Sequence, residues 1–281
     1  MSPVPSPTDL IDLPFMRTAL VELSLLAVAG GLLGAWIVLR RIAFFAHAVG
    51  GATFPGLVIA DAARIRPLIA ALAVGLGYAG AVHRAGARAT GRFGDAVTGV
   101  VLAGALATGV VLASDVFHSS ARVDSLLFGS LLAISPGDVW AAGGGAALAL
   151  AATVALGPAW LASGFDRSGA RALGAPVGRA DLLLLLIVAA TVVSALPAVG
   201  ALLTASLFIV PAATVRLVAR SVPQLLYGSV ALAVAEGAVG AYVALWLDAP
   251  PGPAVAVLGG VVFAAVALTG ASLPRATRPA T

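Results

Sequence analysis

Three histidines, at 47, 83 and 118, and the acid Glu236 are the residues of this sequence whose chemistry suits holding a cation or passing a proton. Near pH 7 a neutral imidazole offers a ring nitrogen to a divalent ion. A carboxylate midway along an apolar run is costly in lipid and is a functional candidate for that reason. His47 and Glu236 both lie in apolar stretches, and Glu236 reads as the one acid near the middle of a span. They are the candidate metal ligands; a histidine bonded to a neighbouring helix and a protonated structural glutamate are the alternatives. His83 adjoins Arg84 at the end of an apolar run and reads as interfacial. His118 falls in Asp115-Val-Phe-His-Ser-Ser-Ala-Arg-Val-Asp124, which either attracts a cation at an entrance or is an ordinary solvated loop. No Ser-His-Asp spacing and no carboxylate pair suggests an enzyme. Every basic residue is Arg, so a nucleotide-binding P-loop, which needs a Lys, cannot be written from this chain. Cysteine is absent too, which excludes thiolate metal sites, disulfides and thiol catalysis.

The elements that carry these residues are helices in lipid. Of the 281 residues 60% are apolar and 10% are charged, where a soluble domain has roughly 25% charged. A nucleic-acid-binding or disordered chain would need far denser charge. About 20 apolar residues cross a hydrocarbon core of about 30 Å as a helix. Clear apolar runs cover 23–39, 97–113, 139–161, 181–196, 224–247 and 254–270, with shorter ones at 48–60, 67–82 and 198–213. The expectation is an all-α, polytopic transmembrane bundle of eight or nine spans, since membrane strands would alternate polar and apolar residues. It comprises a tail over 1–16 without the basic region of a signal peptide, one membrane domain over 17–273, and a tail over 274–281.

Gly30-x-x-x-Gly34 permits close helix contact in lipid. Gly75, Gly77 and Gly80 spell a dinucleotide fingerprint but sit inside an apolar run, where it has no strand to follow. Nine spans, with the N-terminus outside, would put the arginines at 40–41, 84–92, 167–179, 216–220 and 275–278 on the cytoplasmic side together. Arg64, Arg66 and Arg122 would then lie outside. The stretch 181–213, interrupted at Leu196-Pro197, is either a helical hairpin or one broken helix.

From residue 170 the order ARALGAPVGRADLLLLL, AVGALLTASLFIVPAATVRLVARS, LDAPPGPAVAVLGG closely resembles the permease subunit of the bacterial ATP-binding-cassette (ABC) importers for zinc, manganese and iron. LPFMRTAL, LRRIAFFAHAVGGATFPG and LLFGSLLAISPGDV resemble the same family, so the likeness runs from about residue 13 to 270. It implies a multi-pass protein of the bacterial cytoplasmic membrane, working as a homodimer with a separate ABC ATPase subunit and an extracellular metal-binding protein. The transported divalent metal ion would be cargo, with no permanently bound cofactor and no nucleic acid. The loop 162–180 resembles the family's coupling loop, with Arg171 offering a charge, Leu173 an apolar knob and Gly174 ending a short helix. An ordinary cytoplasmic loop is the alternative. Asp248-Ala-Pro-Pro-Gly-Pro253 reads as a rigid external turn.

The family's second span usually reads Arg-Arg, a few apolar residues, then Asp-x-x-x-His, which places two ligands on one helix face. Here His47 stands at the aspartate position and Gly51 at the histidine position. Either other residues rebuild the site, with His47, Gly51 and Glu236 along the path, or the substrate differs from free zinc or manganese. A proton- or cation-coupled secondary transporter using Glu236 is the competing function, although no internal repeat is evident. A non-transporting membrane scaffold would leave Glu236 and the loop 162–180 unexplained.

Overall fold

The structure, a computed structural model, describes residues 14–89, 94–117, 134–247, 249 and 251–272. His118, Arg92, Arg122, Asp124, Asp248, residues 126–133 of the LLFGSLLAISPGDV block and both terminal tails lie outside the described residues, apart from Pro14 to Met16 at the start of the first helix. The described residues are helical, with no strand among them.

In chain order the helices are α1 (Pro14–Arg40), α2 (Ala43–Ala52), α3 (Phe54–Ala63), α4 (Pro67–Ala89) and α5 (Asp95–Val111), which runs into a π-helical turn at Leu112–Val116. They continue as α6 (Pro136–Phe165), α7 (Arg167–Ala172), α8 (Val177–Val199), α9 (Ala201–Val218), α10 (Val222–Trp246) and α11 (Pro251–Ser272). Among the described residues, eight segments are long and apolar enough to cross a membrane, with α2 and α3 together forming one of them. The α2–α3 joint falls at buried Thr53, whose hydroxyl donates to the Gly50 carbonyl at 2.7 Å. Pro55, in the first turn of α3, has no N–H to continue the α2 ladder.

The ends of the helices sort into two layers. Arg40 at the end of α1 reaches Asp181 at the start of α8 and the Trp160 carbonyl near the end of α6. Leu39, Arg216, Arg220 and Val222 share a small cavity that joins the ends of α1 and α9 to the start of α10. At the opposite end, Arg66, Pro67, Ser135, Asp138 and Pro197 line a cavity of about 640 Å³ between α3, α4, α6 and α8. Chain direction therefore reverses between α8 and α9, and 181–213 is a hairpin. Its turn is at Gly200, not at Leu196-Pro197, because Gly200 takes φ 81° and ψ 162°, a conformation essentially reserved for glycine. Pro197 stays inside the last turn of α8. The 18-residue α9 carries a shorter apolar stretch, Ser206–Val218, yet runs from one layer to the other. The clusters holding Arg40 and Arg41, Arg167 to Arg179, and Arg216 and Arg220 thus share one end, while Arg64 and Arg66 occupy the other.

α1 is the central helix, packed against α6, α9 and α10. Its glycines explain how three neighbours fit around it. A β-carbon at Gly31 would lie 2.5 Å from the Val230 Cα of α10. Gly30 and Gly34 take the crossing with α9 at Leu207 and Phe208, as their spacing suggests. Trp36 meets Trp160 of α6 edge-on at 5.4 Å between ring centroids. Around α4, Tyr78 stacks on Phe45 of α2, and its hydroxyl donates to the Thr98 carbonyl of α5 at 3.1 Å.

Candidate functional site

The loop between α6 and α8 folds into a short, well-capped helix. The Asp166 carboxylate accepts the backbone N–H groups of Ser168 at 3.0 Å and Gly169 at 2.9 Å, together with the Ser168 hydroxyl. These bonds start α7 at Arg167 and hold the fully exposed Asp166 carboxyl below the usual carboxylate range, the Gly169 N–H contributing most. At the other end Gly174 adopts φ 79°, and the Gly174 and Ala175 amides close the turn on the carbonyls of Arg171 and Ala170. Ala170 is buried and seats the helix on the bundle, whereas Arg171 is exposed and Leu173 is 89% exposed. An apolar knob that the protein itself leaves uncovered, on a rigid helix beyond the spans, suits docking to a partner.

Beneath α7 lies a buried ion cluster. Asp181 is fully buried and its two carboxylate oxygens are shared between two arginines, Arg40 of α1 and Arg167 of α7, the latter at 2.7 Å. Arg40 also donates to the Trp160 carbonyl at 2.8 Å and to the Ser163 hydroxyl in the last turns of α6. The Trp160 indole N–H in turn donates to the Ala180 carbonyl at 2.8 Å. In the sequence Asp181 stands only as the first residue of the apolar run 181–196, which does not disclose this cluster. The charge itself, followed by five leucines, was the available signal.

The two candidate metal ligands stand apart. His47 is exposed on α2, a helix packed against α5, α9, α8 and α4. Gly51, one turn on, faces α5: a β-carbon there would lie 3.5 Å from Leu102 Cδ1 and 4.0 Å from Leu106 Cδ2, both ordinary contacts. Glu236 is buried on α10, where its Oε2 would lie 3.1 Å from a β-carbon at Gly259 of α11, with Val210 of α9 beside it. Its Oε1 has no hydrogen-bond partner, and no hydrogen bond links it to His47. Among the described residues, no group of three His, Cys, Asp or Glu side chains is placed to hold a metal ion.

Glu236 is not the only buried acid in the spans. Glu22 is fully buried within α1, and neither of its carboxylate oxygens has a hydrogen-bond partner. Taking the apolar run to begin at residue 23 put Glu22 at its edge, although the helix extends nine residues earlier, to Pro14. The apolar residues on every side of Glu22 mark no buried face, so the charge itself was the available signal. Ser229, two turns before Glu236 on α10, is likewise buried with its hydroxyl unpaired. His83 is half-buried near the end of α4.

Comparison with known proteins gives a consistent result. Residues 12–270 match a family profile described as the ABC 3 transport family. The manganese transport system membrane protein MntC of Halalkalibacterium halodurans is 28% identical over 256 residues, covering 91% of this chain and 87% of that protein. The chelated iron transport system membrane protein YfeD of Yersinia pestis is 28% identical over 254 residues, covering 89% and 84%. Among solved structures, PsaBC from Streptococcus pneumoniae in complex with Fab superposes with a TM-score of 0.79 at 24% identity, over 92% of this chain and 93% of that one.

Proposed function

This chain belongs to the ABC 3 transport family, and on that premise we propose that it is the permease subunit of an importer that moves manganese, iron or zinc ions across the bacterial cytoplasmic membrane. Manganese and iron stand in the names of its relatives. Zinc enters through the chemistry of the donors, since imidazole and carboxylate both suit it. ATP would be hydrolysed by a separate ABC ATPase subunit, because this lysine-free chain cannot form a P-loop. The observation that carries this reading is α7: a capped six-residue helix that displays Arg171 and Leu173 where a partner can take hold. Leu173→Asp puts a charge into that contact and should uncouple transport from ATP hydrolysis.

An exposed histidine within the apolar segment Ala43–Ala63 is costly against lipid. A second copy of the permease covering α2 would remove that cost and bring two imidazoles to one path. Glu236 supplies a second polar point inside each copy, between α9 and α11. Two such weak points suit a path that must release its ion. An external metal-binding protein would deliver the cargo at the end holding Arg66 and Asp138.

The test is uptake of radiolabelled manganese, iron and zinc by the permease reconstituted with its ATPase subunit and binding protein. ATP-dependent uptake of at least one metal is expected, reduced by His47→Ala and by Glu236→Gln with assembly intact. Uptake driven by a proton gradient without the ATPase would instead support the secondary transporter, with Glu236 as carrier.

A further inference from the structure

We propose that Asp181 is the positioning residue that transmits movement of α7 to the membrane spans, with Arg40 as its fixed partner and Arg167 as its movable one. The inference rests on the reading that an ATPase subunit docks at α7.

Asp181 lies in the second turn of α8 and is fully buried. One carboxylate oxygen pairs with Arg40, whose side chain is 7% exposed, and the other with Arg167, whose side chain is 27% exposed. Arg40 is held on three sides: by Asp181, by the Trp160 carbonyl and by the Ser163 hydroxyl. A β-carbon at Gly164 would come within 3.1 Å of Arg40 Cδ, so the arginine stem also fills the space along α6. Through this one carboxylate α7 is joined to α8 directly and to α1 and α6 by way of Arg40.

Ion-pair burial is a poor source of net stability, because desolvation cancels much of the attraction. What it does enforce is geometry. With one oxygen of Asp181 hydrogen-bonded to Arg40 and the other held to Arg167 by charge contact alone, without a hydrogen bond, α7 cannot shift by a few ångströms unless α8 and α1 follow or the weaker Arg167 pair opens. Arg167 is the member built to open. It is the most exposed of the three, it sits on the short helix beyond the spans, and its buried Nε has no hydrogen-bond partner in this conformation. An arrangement that satisfies that donor competes with the present one, which gives the cluster two discrete states of the kind coupling between distant sites requires. Asp166 and the Leu173–Pro176 connection, turning through Gly174, are the covalent links from α7 to α6 and to α8; the ion cluster adds the link to α1 that the neighbouring chain lacks.

The experiment uses the whole complex in liposomes, measuring manganese uptake and ATP hydrolysis side by side. Arg167→Gln alters only the most exposed member, whereas Asp181→Asn would strand two arginines and risk misfolding. Expected for Arg167→Gln are parental ATPase recovery on copurification, parental ATP hydrolysis and a roughly tenfold fall in ions moved per ATP, within the usual range of coupling between sites. Arg167→Lys, which keeps a cation within reach of Asp181, should restore most of that ratio. A purely structural role would lower uptake and hydrolysis in proportion, and an unchanged ratio in Arg167→Gln overturns the proposal while leaving the permease reading in place. A parent complex without ATP-dependent uptake overturns both.

Discussion

Gly34 of α1 and Phe208 of α9 meet backbone to backbone: a β-carbon on residue 34 would lie 1.9 Å from the Phe208 carbonyl oxygen. That oxygen belongs to a helix backbone and cannot swing aside, so the two helices would have to separate. Gly34→Ala should therefore cost at least the ~1–3 kcal/mol typical of overpacking. Gly77→Ala, where an added β-carbon meets nothing within 4 Å, should be neutral or slightly stabilising. Thermal unfolding of the two variants in detergent, followed by size-exclusion chromatography, checks the contrast.

Asp166 predicts a pH dependence confined to α7. Its carboxyl is held below its ordinary value of 3.8 by the Gly169 and Ser168 donors, so the cap is present above that value and is lost as pH falls through the lower, folded one. Hydrogen exchange at Ser168 and Gly169, referenced to amides of α8, should show protection through neutral pH that disappears only below the ordinary carboxylate range. Asp166→Asn, which caps without titrating, should remove that pH dependence, and Asp166→Ala should remove the protection at every pH.

Gly51 predicts that a stronger path can be built. Its β-carbon position is in ordinary contact with the flexible ends of Leu102 and Leu106, so a β-carbon can be added there without moving the backbone of α2. The paired substitutions His47→Asp and Gly51→His would place a carboxylate and an imidazole one turn apart. In the reconstituted complex they should lower the KM for manganese by about tenfold, or ~1.4 kcal/mol of binding. Unchanged KM would place the path away from α2.

The layering of helix ends predicts topology. Reporters fused after Arg92, Ala170 and Arg220 should give cytoplasmic signals, and one after Pro250 an exterior signal, as the arginine distribution requires. An exterior signal after Ala170 would also remove α7 from any contact with a cytoplasmic ATPase.

The spans and their number to within one were legible in the residues because lipid leaves the backbone little choice. Every N–H must be bonded within the segment, and about 20 apolar residues suffice to cross. The close crossing at Gly30 and Gly34 was legible for a related reason, since only small residues admit a neighbouring backbone.

Which faces meet was decided by the tertiary structure alone. A helix in lipid is apolar both where it packs and where it is free, so the periodicity that marks a buried face in a soluble helix is nearly lost. Nothing in the apolar pattern therefore says that His47 faces outward on α2 while Glu236 is enclosed by α9 and α11, or that Arg40 finds Asp181 across 141 residues of chain. The hairpin turn at Gly200 likewise depended on backbone conformation, because Pro197 was the more conspicuous breaker and yet remained helical. Composition and length set the helices in the membrane; the few polar groups, each needing a partner that only a distant segment supplies, acquired their roles when those helices packed.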